Sequence, residues 1–274
     1  MTLFSFVRFF LRCLPFNKGK QTFANFIFTK AALPAEARIP FQYQNVDFSL
    51  DLSDRIQAIF YMTGLYEPKT VEAIARNLVK GNQQSPLILD VGANVGLIAL
   101  QLKNQFPNAQ LHLFEADPSV FKQLQQNISL NKLSSMRTNN QAVSDKHGET
   151  LTFVKSLAVS ESGWGRLQNA ENRNAPGATY QVGSVSIDSY LSDLNISAVD
   201  LLKIDVEGAE ELVLRGAEQT LQRKLIRAIV CEINPEALAA FSSSPQKIFE
   251  LLERHGYQPV ETVEMNVVFT RESP

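Results

Sequence analysis

The chain has 274 residues, 45% apolar and 20% charged, which is enough for one large α/β domain with additions or for two small domains. A formal net charge of -2 excludes broad binding to a phosphate backbone, which leaves a basic footprint, though a local basic patch stays open. Cys13 and Cys231 lie far apart, His112, His147 and His255 are scattered, and no apolar run reaches the ~20 residues that span a bilayer. A zinc centre, a disulfide scaffold and a transmembrane span are thereby excluded, and the thiols fit a reducing, cytoplasmic compartment.

The first 35 residues stand apart: they hold five basic residues (Arg8, Arg12, Lys18, Lys20, Lys30), eight phenylalanines and no acidic residue. Arg8 and Arg12 break the apolar run and no small-residue cleavage site follows, so a signal peptide is not expected. Two readings fit. A helical lid would pack the phenylalanines on the main domain. A segment on an anionic membrane would insert them and set its basic groups among the headgroups. The lid is the plainer reading but leaves the one-signed charge unexplained.

Residues 41–52 alternate as a strand pair with a register break near Asn45, and 56–62 and 68–80 read as helices, the second opening on Pro68. Gly81 and Pro86 then punctuate the chain. From residue 87 strands and helices alternate: strand 87–91, helix 95–105, strand 111–115, helix 118–131 and a strand near 136–143. Extra strands are expected at 149–154 and 179–186, around a loop at 155–178 that carries the only tryptophan, Trp164. Strand 200–204, helix 208–222, strand 227–232, helix 235–254 and a closing pair near 257–261 and 265–270 follow. This order predicts a doubly wound, Rossmann-like α/β fold, with a mostly parallel seven-stranded sheet over 56–274 and an N-terminal α/β extension over 1–55.

The strongest motif is Asp90-Val91-Gly92-Ala93-Asn94-Val95-Gly96, between a strand and a helix. Its G-x-x-x-G spacing is not the G-x-G-x-x-G of dinucleotide enzymes, and a carboxylate at Asp90 would repel a diphosphate. A nucleoside bearing an amino acid and no phosphate, such as S-adenosylmethionine, suits it better. Glu115 ends the next strand 19 residues past Gly96, the spacing at which an acidic residue holds ribose hydroxyls in the analogous dinucleotide fold. Its plainer role would be to cap the helix near Pro118. In Asp200-Leu201-Leu202-Lys203-Ile204-Asp205-Val206-Glu207, an extended chain sets Lys203, Asp205 and Glu207 on one face. A lysine inside a parallel strand is costly unless paired, so one charged cluster is expected there.

These elements in this order resemble the class I methyltransferases and, more narrowly, the FkbM-type family. The narrower likeness rests on Gly64-Leu65-Tyr66-Glu67-Pro68, Asp90–Gly96, Phe114-Glu115-Ala116-Asp117-Pro118, Ala142-Val143-Ser144-Asp145, Ser186-Ile187-Asp188-Ser189-Tyr190, Leu202–Glu210 and Leu214-Arg215-Gly216-Ala217. The resemblance implies O-methylation of hydroxyls on sugars, glycolipids or secondary metabolites, with S-adenosylmethionine as cofactor. It implies that Asp90, Gly92, Asn94 and Gly96 hold the methionine end, that Glu115 holds the ribose, and that Ser144 and Asp145 lie near the adenine. The cofactor half would span 85–145 and an acceptor-side insertion 149–186.

An alcohol acceptor must lose a proton, so a carboxylate near the methyl is expected. Asp205 and Glu207 are the first candidates and Glu232 the third; Asp205 and Glu232 could instead hold a divalent metal, for which no third ligand is evident. Rivals are a non-catalytic scaffold that binds the cofactor and a methyltransferase acting on another atom. Amino-group methyltransferases carry Asn/Asp-Pro-Pro-aromatic after the fourth strand, whereas here Asn234-Pro235 falls one strand later.

Overall fold

The computed structural model describes residues 3–15, 17–30, 38–131, 133–156, 163, 165–169 and 177–271; Trp164 and most of its loop lie outside them. Two helices, α1 (Leu3–Cys13) and α2 (Lys20–Lys30), precede a hairpin of β1 (Arg38–Tyr43) and β2 (Val46–Asp51). Gln44 and Asn45 both take positive φ, 49° and 64°, as a tight two-residue turn requires, which is the physical basis of the register break. Helices α3 (Arg55–Thr63) and α4 (Pro68–Gly81) follow.

The main sheet is laid down by β3 (Leu87–Val91), α5 (Leu97–Gln105), β4 (Gln110–Phe114), α6 (Pro118–Leu130) and β5 (Met136–Asn139). The chain then leaves it for β6 (Ala142–Val143), β7 (Thr150–Ser156), β8 (Gly165–Leu167) and β9 (Gly177–Val185). It returns through α7 (Ile187–Asp193), β10 (Val199–Ile204), α8 (Glu210–Arg215), α9 (Glu218–Gln222) and β11 (Ile226–Glu232). Helices α10 (Pro235–Ala240) and α11 (Pro245–Arg254) lead to the closing pair, β12 (Tyr257–Val263) and β13 (Asn266–Arg271). The seven-stranded sheet has the order β12-β13-β11-β10-β3-β4-β5, and β13 alone runs antiparallel, against both of its neighbours. The doubly wound fold expected from the alternation is therefore present.

Period-two alternation sorts the sheet's side chains between two helix layers. Leu89, Leu202 and Ile229 pack with α7, α8 and α11 on one face, while their neighbours Ile88, Leu201 and Val230 pack with α4 and α5 on the other. The hairpin docks on α6 through side-chain amides. Asn127, fully buried, accepts from Ser49 N–H (2.8 Å) and donates to the Val95 carbonyl (2.8 Å), tying β2 to the loop after β3.

Three long elements of the sequence reading are broken, each for a local reason. Helix 235–254 is two helices, because Ser244 and Pro245 start α11 afresh: the Ser244 hydroxyl accepts from Lys247 N–H, and proline sits at the first helical position. Helix 208–222 divides at Gly216, whose backbone lies so close to the Ser144 carbonyl that a Cβ would stand 2.1 Å from its oxygen. Strand 136–143 splits at Asn140, whose amide donates to the Glu115 and Ala116 carbonyls, and β6 joins β7, β8 and β9 in a second sheet. The short strand β8 falls inside what reads as loop.

Candidate active site

Strand order reverses at β3, with β4 and β5 on one side and β10 and β11 on the other, so the carboxyl ends of β3 and β10 form the crevice where such sheets bind ligands. Lys203 lies opposite Asp90 in the register, and Asp205 N–H donates to the Val91 carbonyl at 3.0 Å. Gly92 follows with φ 84°, and a Cβ there would stand 1.8 Å from the Asp205 carbonyl oxygen. Only glycine allows the two strand ends this close. Gly96, φ 87°, begins α5, where a Cβ would press on Leu124 of α6 at 2.8 Å.

Glu115 fastens the loop. Its Oε2 accepts from Asn94 N–H at 3.0 Å and its Oε1 from Asp117 N–H at 2.8 Å. It is not the cap of α6: Asp117 is, accepting from Ser119 and Val120. Burial pushes the Glu115 carboxyl up to about 7, against the lowering pull of its two backbone donors.

Lys203 is the charged cluster's centre, as its position inside a strand demands. Its ammonium is buried, 3.2 Å from Asp205 and 3.4 Å from Asp90. Burial alone would lower its pKa, but Asp205, Asp90 and Glu67 together outweigh that and the net shift is upward. Burial likewise raises the Asp90 carboxyl while Lys203 opposes it. With the ammonium 3.4 Å away, the charged pair is the state the geometry supports.

Beyond β10 the strand ends, and Glu207 takes a positive φ of 55° instead of continuing the alternation. The shared face expected for Lys203, Asp205 and Glu207 is thus a turn. Glu210, 1% exposed, holds that turn by accepting from Val206 and Gly208 N–H, both at 3.1 Å. The turn brings carboxylate oxygens of Asp205, Glu207 and Glu232 within 4.8 Å of one another. Burial first, then Asp205, Glu207 and Glu210, push the Glu232 carboxyl up to about 9. Asn234-Pro235 is a capping device: the Asn234 side chain accepts from Glu236 and Ala237 N–H to start α10.

A cavity of about 320 Å³ joins these parts. Asp90, Gly92, Asn94, Glu115, Asp205, Glu207 and Glu232 line it; Gly96, Ser144 and Asp145 do not, although Val143 just before them does. The wall also holds Arg55, Tyr66, Glu67, Gln141, Phe153, Gly163, Leu167 and Met265, which the sequence reading did not single out for the site. Tyr66 and Glu67 stand beside Pro68; Glu67 takes a φ of 41°, and burial, then the Asp205 charge, raise its carboxyl. A residue before proline at a helix start is forced out of helical geometry, and that was the available signal.

Over residues 90–259, well over half its length, the chain matches the family described as the methyltransferase FkbM domain. It is 30% identical to methyltransferase sdnD of Sordaria araneosa over 172 residues, covering 54% of this chain and 66% of that protein. It is 25% identical to 2-O-methyltransferase NoeI of Sinorhizobium fredii (strain NBRC 101917 / NGR234), covering 77% of this chain and 88% of that one. With 31-O-demethyl-FK506 methyltransferase FkbM of Streptomyces tacrolimicus it shares 26% identity, covering 64% of this chain and 73% of that protein. The glycine loop, the acidic end of the second strand and the charged fourth strand thus meet in one crevice within the matched stretch, and the chain belongs to the FkbM family of S-adenosylmethionine-dependent methyltransferases.

Proposed function

We propose that the chain methylates a hydroxyl on a sugar, glycolipid or secondary metabolite, the carboxylates after β10 and β11 taking the acceptor's proton. The observation that carries this reading is the convergence of Asp205, Glu207 and Glu232 in the same cavity as Asp90, Asn94 and Glu115. A neutral hydroxyl is a weak nucleophile that needs its proton taken as it attacks, whereas an uncharged amine or a thiolate is nucleophilic as it stands. The names of two relatives, a 2-O-methyltransferase and a 31-O-demethyl-FK506 methyltransferase, agree with an oxygen acceptor.

The residues present fit the cofactor. Oδ2 of Asp90, whose Oδ1 is ion-paired to Lys203, and Oε2 of Glu232 are buried without a hydrogen-bond partner, as in a site that a ligand's donors complete. Bound S-adenosylmethionine supplies a methyl group on a sulfonium. Asp90, with Gly92 and Asn94, would face its amino-acid end, and Glu115 the ribose hydroxyls through the lone pairs its backbone donors leave over. Ala142 and Val143 would lie on the adenine side with Ser144 and Asp145 behind them, while Gly96 lets α5 approach. The segment 149–186 would cover the acceptor side, where Phe153, Gly163 and Leu167 reach the cavity. The protein works by aligning the two partners and excluding water.

Within the acidic trio Glu232 is the better proton acceptor. Asp205 is tied to the Lys203 ammonium at 3.2 Å, which competes for its lone pairs, whereas Glu232 has the raised proton affinity. Glu232 gives up its resting proton more readily beside a cation, which prepares it to take the acceptor's.

Glu115 makes cofactor binding pH-dependent. Its folded value of about 7 exceeds the ordinary 4.5, so the folded protein holds a proton there that the unfolded chain has lost between those pH values. Its contribution to stability therefore falls as pH rises through that window. Ribose binding uses the ionised form, so affinity for S-adenosylmethionine is expected to weaken as pH falls below about 7, by up to ~10-fold per pH unit. Calorimetry in buffers of different ionisation enthalpy should show proton release on binding. A pH-independent dissociation constant between pH ~5.5 and ~8 would remove Glu115 from the ribose site.

The acceptor class is tested by incubating the protein with methyl-labelled S-adenosylmethionine and extracts of glycans, glycolipids and small metabolites. Label on an oxygen, undiminished by chelators, is the expected result. Label on nitrogen or carbon would overturn the hydroxyl reading. Activity lost on chelation and restored by magnesium would make the three carboxylates a cation site instead.

A further inference from the structure

We infer that the outer face of α1 and α2 docks on an anionic lipid bilayer. Helix α1 carries two apolar faces. Phe4, Val7 and Leu11, at three- and four-residue steps, are buried together. At 100° per residue Leu3, Phe6, Phe9 and Phe10 gather on the other side, where they are 52%, 57%, 68% and 51% exposed. Helix α2 repeats the plan: Ala24 and Phe28 are buried, while Phe23 and Phe26 are 42% and 57% exposed, with exposed Lys30 one turn further along the same face.

The inner faces are fixed. Phe4 stacks on Phe28 with ring centroids 6.2 Å apart, Ser5 shares a hydrogen bond with Tyr61 of α3 at 3.1 Å, and Arg55 of α3 donates to Asn25 at 3.0 Å. A lid accounts for this packing and for nothing on the outer face. Scattered exposed apolar residues need no explanation, but large ones gathered on one helix face do.

The charge selects the occupant. Residues 1–35 contain no acidic residue. Two of the five bases belong to the inner packing: Arg8 lies over the Phe41 and Tyr61 rings at 4.7 and 4.8 Å, and Lys20, 8% exposed, donates to the Leu14 carbonyl. Arg12, Lys18 and Lys30 are exposed beside the phenylalanines. A second copy of the chain would meet that patch with the same positive charges. An anionic bilayer offers headgroups to the bases and hydrocarbon to the rings. Among the described residues no helix is long and apolar enough to cross a membrane, so the attachment lies in the interfacial plane. The inference does not depend on which acceptor is methylated.

Co-sedimentation of the full chain with vesicles tests it. Pelleting is expected with phosphatidylglycerol-containing vesicles, not with pure phosphatidylcholine, and should diminish as salt rises. Arg12→Gln/Lys18→Gln/Lys30→Gln should lower partitioning roughly fivefold per charge removed. Phe6→Ser/Phe9→Ser/Phe10→Ser should abolish it, with the circular dichroism and thermal transition of the parent confirming that both variants fold. Wild-type protein that stays in the supernatant, or folded variants that pellet like the parent, would overturn the inference. So would a dimer seen by light scattering that the phenylalanine variant dissociates without any vesicle binding, because the face would then be a contact between copies.

Discussion

Replacing Lys203 by methionine is expected to cost about 3–5 kcal/mol of stability, the usual effect of removing one partner from a buried charge cluster. The ammonium is 2% exposed and is the cation shared by Asp90 and Asp205, with Glu67 also contributing to its raised pKa. Without it the carboxylates at two adjacent strand ends face each other across the register that joins β3 to β10. Urea unfolding should show the loss as a lower midpoint at unchanged slope. Adding Asp90→Asn should recover much of it, because the pair is coupled and its effects are not additive. A Lys203→Met protein as stable as the parent would mean that the cluster is protonated and neutral, not a charged one.

Glu232→Gln should leave the fold intact and lower turnover on the order of 10²–10⁴-fold, the range lost with a general base. The carboxyl must be ionised to accept a proton, and its raised value of about 9 means that it rests protonated at neutral pH. Parent turnover should therefore rise with pH through a single apparent pKa below that value, since a cation in the cavity favours the ionised form. The variant should lose this rise. Asp205→Asn separates the candidates: a fall as large as that of Glu232→Gln, with the pH dependence kept in the Glu232 variant, would make Asp205 the proton acceptor.

The sheet was legible because its signals are local. Leu87–Val91 is four apolar residues interrupted only by Asp90 and followed by a glycine turn, and the structure begins and ends β3 at those residues. The pairing of Lys203 was legible for an energetic reason, since an ammonium inside a parallel strand has to find carboxylates. Helix breaks were harder. Ser244-Pro245 carried a start signal inside a continuous helical periodicity, while Gly216 breaks its helix through a contact with Ser144, a residue far away in sequence. Glu207 departs from strand alternation because Glu210 folds the chain back on itself, a hydrogen bond that spacing alone does not reveal. The cavity wall drew on Arg55, Tyr66, Glu67 and Phe153, whose distance from the glycine loop in sequence hides their proximity in space. The phenylalanines of the first helices were recognised, but only coordinates divide Phe4 and Phe28, packed inward, from Phe6, Phe9 and Phe26, which face out.

Calorimetric titration with S-adenosylmethionine, set beside Glu115→Ala, tests the central assignment most directly. One-site binding at micromolar concentration is expected, weakened by ~1–3 kcal/mol in the variant through the lost charged hydrogen bonds. No binding of the sulfonium alongside tight binding of NAD, or an unchanged dissociation constant in a folded Glu115→Ala protein, would contradict a cofactor site between β3, β4 and β10.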